Sequence, residues 1–214
     1  MSTMSNIEVI CAICGKQSSQ TLLTSTNQFG SPDLDLRPSE MARSTMPWWV
    51  QECPHCGYVA KELSCKSFIS QAFLEKEEYR SCDHKSFKTS LAKTFYRDYL
   101  INREISSTNA AFQSALRAAW ACDDVNDTEN AIFCRLMALA ELEELIYDSH
   151  SETAMVMKAD LLRRTGQFDV LLEEYKDKTF LEDISNQIIA FQMKKAKEKD
   201  VGCYTVADVT QPKE

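Results

Sequence analysis

The chain has 214 residues, 44% of them hydrophobic and 26% charged, enough for one large or two modest globular domains. A net charge of −8 argues against a general nucleic-acid binder, which needs a basic face to neutralise phosphates. No apolar run approaches the roughly 18 residues of a membrane span. The opening Met-Ser-Thr-Met-Ser-Asn lacks the basic region and apolar core of an export signal, so nine cysteines, an odd number, predict a reducing cytoplasm and not a disulfide framework.

In chain order, residues 7–11 are β-branched and alternating, as in a strand that runs into the tight turn Cys11-Ala-Ile-Cys14-Gly15. Residues 20–26 are a second strand candidate, followed by a loop over residues 27–38 marked by its Gly, Pro, Asn and Asp content. In that loop Arg37 stands near Asp33 and Asp35. The expectation is an ion pair that anchors the loop on the ribbon, with no catalytic role. Residues 47–53 read as a strand entering a second turn, Cys53-Pro-His-Cys56-Gly57, and residues 58–63 as the strand leaving it.

Two Cys-x-x-Cys-Gly knuckles supply four thiolates, the donor set of a closed tetrahedral site. Cys11, Cys14, Cys53 and Cys56 are therefore the expected ligands of one structural Zn²⁺. The glycine after each second cysteine fits, because a knuckle turns through a positive φ that glycine takes without steric cost. The long loop between the knuckles is tolerable, since closure entropy grows only logarithmically with length. Cys53-Pro-His-Cys56 also matches the active site of a periplasmic dithiol oxidant of the thioredoxin class. That chemistry needs a helix starting at the first cysteine, whereas Gly57-Tyr-Val-Ala breaks a helix and resumes as a strand.

From residue 67 the spacing becomes helical. Phe68, Ile69, Ala72 and Phe73 mark a short helix, and Phe87, Leu91, Phe95 and Tyr99 recur every four residues in an amphipathic one. Helices over residues 110–122, 128–147, 152–164, 168–176 and 184–197 follow, joined mostly by short turns. Residues 119–131 can be set against residues 159–171, with Asn126 opposite Gly166, and both look like the turn of a tetratricopeptide (TPR) repeat. Arg135 and Lys158 fall where that repeat wants apolar core. Cys122 and Cys134 lie on apolar faces and read as core, and Cys82 with His84 lacks the partner pair a second metal site needs.

The expected fold class is α+β: a small β-rich zinc ribbon over residues 1–66, a connecting helix and linker over 67–85, an all-α, TPR-like array of antiparallel helices over 86–200, and a flexible tail over 201–214. Cys11-x-x-Cys14-Gly15, Ser31-Pro-Asp-Leu-Asp-Leu-Arg-Pro38, Pro47-Trp-Trp-Val and Cys53-Pro-His-Cys-Gly-Tyr58 together resemble an uncharacterised bacterial family, a domain of unknown function. Its members pair an N-terminal zinc ribbon with a TPR-like helical region. The resemblance implies a cytoplasmic bacterial protein with Zn²⁺ on the four cysteines, and it carries no activity.

No phosphate loop, nucleophile elbow, His-Glu-x-x-His pair or dinucleotide turn is present, and no catalytic residue is expected. The expected function is a non-enzymatic adaptor that binds a protein through its helical array. Counting from the two turns places Trp120, Arg163 and Arg164 on the concave face, where an aromatic beside two guanidinium groups suits an acidic or C-terminal carboxylate peptide. A nucleic-acid-associated ribbon with Trp48 and Trp49 as stacking surface is the alternative, and a thiol oxidoreductase a weaker one.

Overall fold

The computed structural model describes residues 2–83 and 86–211. Its N-terminal region is built from two separate antiparallel hairpins. Strand β1 (Thr3–Ile10) pairs with β2 (Gln17–Ser25), and β3 (Gln51–Glu52) pairs with β4 (Val59–Ala60). Each Cys-x-x-Cys-Gly turn forms the tip of one hairpin: Ile10 faces Gln17 across the first, and Glu52 faces Val59 across the second. β1 and β2 bury only Val9 and Ser18, so this hairpin has almost no core of its own.

Residues 47–50, expected as strand, differ. A 3-10 helix spans Arg43–Trp48 with Pro47 inside it, and the strand begins only at Gln51. The fixed φ of proline suits a helical turn, and the turn sinks Met46 into the core. The short helix expected from Phe68 is also smaller. α1 (Gln71–Leu74) starts where the Ser70 hydroxyl accepts from the Phe73 amide, and Phe68 stands outside it, 89% exposed. After α2 (Glu77–Arg80), the linker is tied to the second knuckle, because buried Tyr79 donates its hydroxyl to the Gly57 carbonyl at 2.6 Å.

The remaining chain is mainly helical: α3 (Ser90–Glu104), α4 (Thr108–Asp123), α5 (Thr128–Ser149), α6 (Glu152–Arg164), α7 (Phe168–Tyr175) and α8 (Asp183–Lys197). α4 lies between α3 and α5 and is buried on nearly every side. Ala111, Ala115, Ala118 and Cys122 have no exposed surface, and their small side chains let the neighbouring helices approach closely. Phe95, Leu116, Leu142, Leu161 and Leu171 fill the space between helices, each stabilising by about 1.5–3 kcal/mol.

α3, α4, α6 and α8 all end in one way. Ser106, Asn126, Gly166 and Lys199 take a positive φ. The next amide reaches back to a carbonyl one turn earlier, as in Asp127 to Cys122 at 2.9 Å and Gln167 to Leu162 at 2.8 Å. Asn126 and Gly166 are thus equivalent in backbone, but the motif belongs to helix ends in general and does not single out a two-unit repeat.

The stretch expected as a flexible tail is placed instead. The Tyr204 carbonyl accepts from the Leu34 amide, the Val206 amide donates to the Pro32 carbonyl, and α9 (Val206–Thr210) is closed by a capping box between Thr205 and Asp208. No described helix is long and apolar enough to cross a membrane.

Candidate metal centre

The two knuckles have matching backbones. The Gly15 amide donates to the Cys11 carbonyl at 2.9 Å, and the Gly57 amide donates to the Cys53 carbonyl at the same distance. The Cys11 amide donates to Lys16 at 3.0 Å, and the Cys53 amide donates to Tyr58 at 2.8 Å. Gly15 and Gly57 take φ of +68° and +72°, which a Cβ would strain although neither position is crowded.

Because the turns superpose in kind, they present their sulfurs to one point. The Sγ atoms of Cys11 and Cys56 lie 3.8 Å apart, those of Cys14 and Cys53 3.7 Å apart, and all four ligand atoms fall within 4.8 Å of one another. A tetrahedron with metal–sulfur bonds of about 2.3 Å has edges of about 3.8 Å, so the spacing is compatible with structural zinc. The thiols are free, too far apart for disulfides.

Burial pushes the Cys56 thiol far up, with the neighbouring sulfurs adding to the effect, and burial likewise raises Cys11. At Cys14 burial is outweighed by the Lys16 amide and the other sulfurs, and the thiol falls below its usual value. Four thiolates this close repel one another strongly, and a divalent cation is what lets them ionise together. His55 stands outside the group, its Nε2 3.1 Å from the Gln17 carbonyl. No helix begins at Cys53, so the dipole that activates a thioredoxin-type thiol is missing from this turn.

The residues expected to bind a partner sit elsewhere, and the structure corrects their role. Trp120 is 3% exposed and donates its indole N–H to Asp35 at 2.7 Å. Arg163 has no exposed surface, and its guanidinium is spent on the Asp160 carboxylate at 2.9 Å, the Asp200 carbonyl at 2.8 Å and the side chain of Gln192. Arg164 is nearly as enclosed, 3.1 Å from Asp123 and 3.8 Å from Asp35. Their burial, and the protein groups that already face them, leave none of these side chains presented to a peptide.

They belong instead to a buried ionic network that joins the loop over residues 33–37 to α4, α5, α6 and α8. Arg37 pairs with a carboxylate as expected, but the partner is Asp124 at the end of α4, at 2.6 Å, so the loop is anchored on the helices. Asp33 pairs with Arg43 at 2.5 Å, and Arg135 forks onto Asp123. Burial, with the Asp160 charge adding, raises the Asp35 carboxyl against the pull of Arg135 and Arg164. For Asp123 burial loses to the Arg135 hydrogen bonds and the nearby guanidinium charges, and the carboxyl falls. Arg135 in a core slot and Arg37 beside Asp33 and Asp35 were the sequence signals of this cluster.

Glu52 makes a second tie between the two regions, accepting from Thr94 at 2.9 Å and from Arg97 at 2.6 Å, both on α3. Cys122 and Cys134 are fully buried, as their apolar faces imply. Cys82 is also buried, with its Sγ 3.7 Å from the Glu78 carbonyl, while His84 lies outside the described residues. Among the described residues the four knuckle cysteines are the one group placed to hold a metal ion. The chain matches no protein-family model, and no curated protein or solved structure is significantly similar to it. The family resemblance therefore rests on the quoted motifs alone.

Proposed function

We propose that the protein is a non-enzymatic cytoplasmic adaptor in which one Zn²⁺, held by Cys11, Cys14, Cys53 and Cys56 in a zinc ribbon, shapes a surface for a protein partner. Four thiolates complete a tetrahedral shell and leave no coordination position for substrate or water, which favours a structural metal over a hydrolytic one. The observation that carries the interaction reading is a groove of about 630 Å³ between the two regions. Its first wall comes from residues 58–62, the stretch that leaves the second knuckle, and its second from α3 and α4. Metal at the knuckle fixes the first wall.

Exposed Phe68 lines this groove, so a photoreactive side chain at position 68 tests the reading, with position 181 as an equally exposed control. The supporting result is one cellular protein crosslinked from position 68 and not from 181, which binds the zinc-loaded chain when purified and loses affinity for Cys53→Ser. No crosslink above the control contradicts the adaptor. The nucleic-acid alternative rests on Trp48 and Trp49 as a stacking face, and the Arg117 guanidinium, 5.5 Å over the Trp49 ring, leaves it Trp48 alone.

A further inference from the structure

Arg117 on α4 is the anomaly among the enclosed arginines. Arg37, Arg97, Arg135, Arg163 and Arg164 each meet a carboxylate within ion-pair distance. Arg117 meets none among the described residues; its Nε is buried without a hydrogen-bond partner, as are those of Arg37, Arg97, Arg135 and Arg164, so the missing carboxylate is what sets it apart. Burial lowers its basicity, although Asp98 is near enough to oppose that shift. Asp98 does not close the gap: burial raises its own carboxyl, and one of its oxygens is held by the Ser114 hydroxyl. An enclosed guanidinium without an anion is unfavourable, and an arriving carboxylate relieves it.

Arg117 opens on the groove described above. Trp49, Tyr58 and Ile101 supply apolar wall there, and Lys61 and Lys66 stand on its exposed side without carboxylate partners among the described residues. We propose that this groove binds a protein segment through an acidic side chain, whose carboxylate forks onto Arg117 while flanking apolar residues lie on the aromatic wall. The volume suits a few side chains. Glu62 and Asp98 also line the groove and leave it only modestly positive, which fits a single carboxylate better than a phosphate dianion. No glycine lines it to offer backbone amides to a phosphate.

This inference rests on the adaptor reading and names the partner's chemistry. The test exposes the full-length, zinc-loaded chain to a library of capped hexapeptides, randomised around one fixed position that is Asp or Glu in one half and Asn or Gln in the other. A charge-assisted hydrogen bond predicts about ten- to hundred-fold enrichment of the carboxylate half. Arg117→Gln should erase the difference, and Lys61→Gln, at an exposed position, should reduce it a few-fold without disturbing the fold. Equal retention of acid and amide peptides by the native chain overturns the proposal without any variant. So does an acid preference that survives both substitutions, or Arg117-dependent competition by adenosine monophosphate. A crosslinked partner at position 68 with no acid preference sinks this inference alone, and acid selection with no crosslinked partner sinks the adaptor reading alone.

Discussion

The β1–β2 hairpin buries two residues, Val9 and Ser18, whereas α4 alone buries ten. The first hairpin brings two of four sulfurs to one point and has almost no core of its own, and the apolar residues beyond it, such as Met46, Val59 and Leu63, pack into the same core as the helices. The second region packs alanine-rich helices and closes their ends with repeated turns. Between them the loop over residues 33–37 carries charge into the helices, through Asp35 to Trp120 and Arg37 to Asp124. The contrast teaches that one chain can combine two sources of order. Where the core is thin, four cysteines are arranged to hold a metal; where it is thick, Arg135, Arg163 and Arg164 are enclosed beside carboxylates.

Chelation should break the comparison most sharply. Metal binding contributes roughly 10–16 kcal/mol in isolated zinc-finger peptides, so stripping the ion should unfold the knuckle region and leave most of the helical region standing. The readout is loss of the near-ultraviolet circular dichroism of Trp48 and Trp49 with most far-ultraviolet signal retained. Simultaneous loss of both signals would show that the helices depend on the metal too.

The helical side is probed by Arg163→Ala, which strands Asp160 and Gln192 in the interior and should cost about 3–5 kcal/mol in urea unfolding. Replacing the pair together, Arg163→Met with Asp160→Leu, should recover much of that loss. A double variant no better than the single one would show that the remaining polar partners set the cost. On the knuckle side Gly57→Ala meets no atom within 4 Å, so only backbone strain opposes it, about 1–2 kcal/mol. Competition against a chromogenic chelator should then give about ten-fold weaker metal binding.

The smallest effect is a pH slope. Asp123 has a depressed carboxyl in the folded protein, so the unfolded chain binds more protons in the window between the two values, and stability rises with pH there. Its contribution is present above the unfolded value of about 3.9 and is lost as pH falls through the folded one. Asp123→Asn should flatten the acid limb of helix unfolding followed at 222 nm. An unchanged limb would remove Asp123 from the account.

Legibility in the sequence followed the range of the interactions. The knuckles were readable because their ligands and glycines are close in sequence, and the α+β order followed from a change of period near residue 67. The 3-10 turn at Pro47 was missed because Trp48, Trp49 and Val50 carry a strong strand signal that tertiary burial of Met46 overrode. Trp120, Arg163 and Arg164 were misread as surface for a similar reason. Trp120 and Arg164 meet carboxylates from distant segments, Asp35 lying 85 positions from Trp120, and although Asp160 is local to Arg163, nothing local announces that the pair is buried. The groove at Arg117 is equally invisible, since it exists only where the second knuckle meets α3 and α4.

The central claim is one metal on four named sulfurs, and native mass spectrometry combined with thiol alkylation tests it directly. One zinc per chain is expected, with exposed Cys65 modified first, and with Cys11, Cys14, Cys53 and Cys56 protected until a chelator is added. A folded protein that carries no zinc, or in which any of those four cysteines alkylates as fast as Cys65 before chelation, would contradict it.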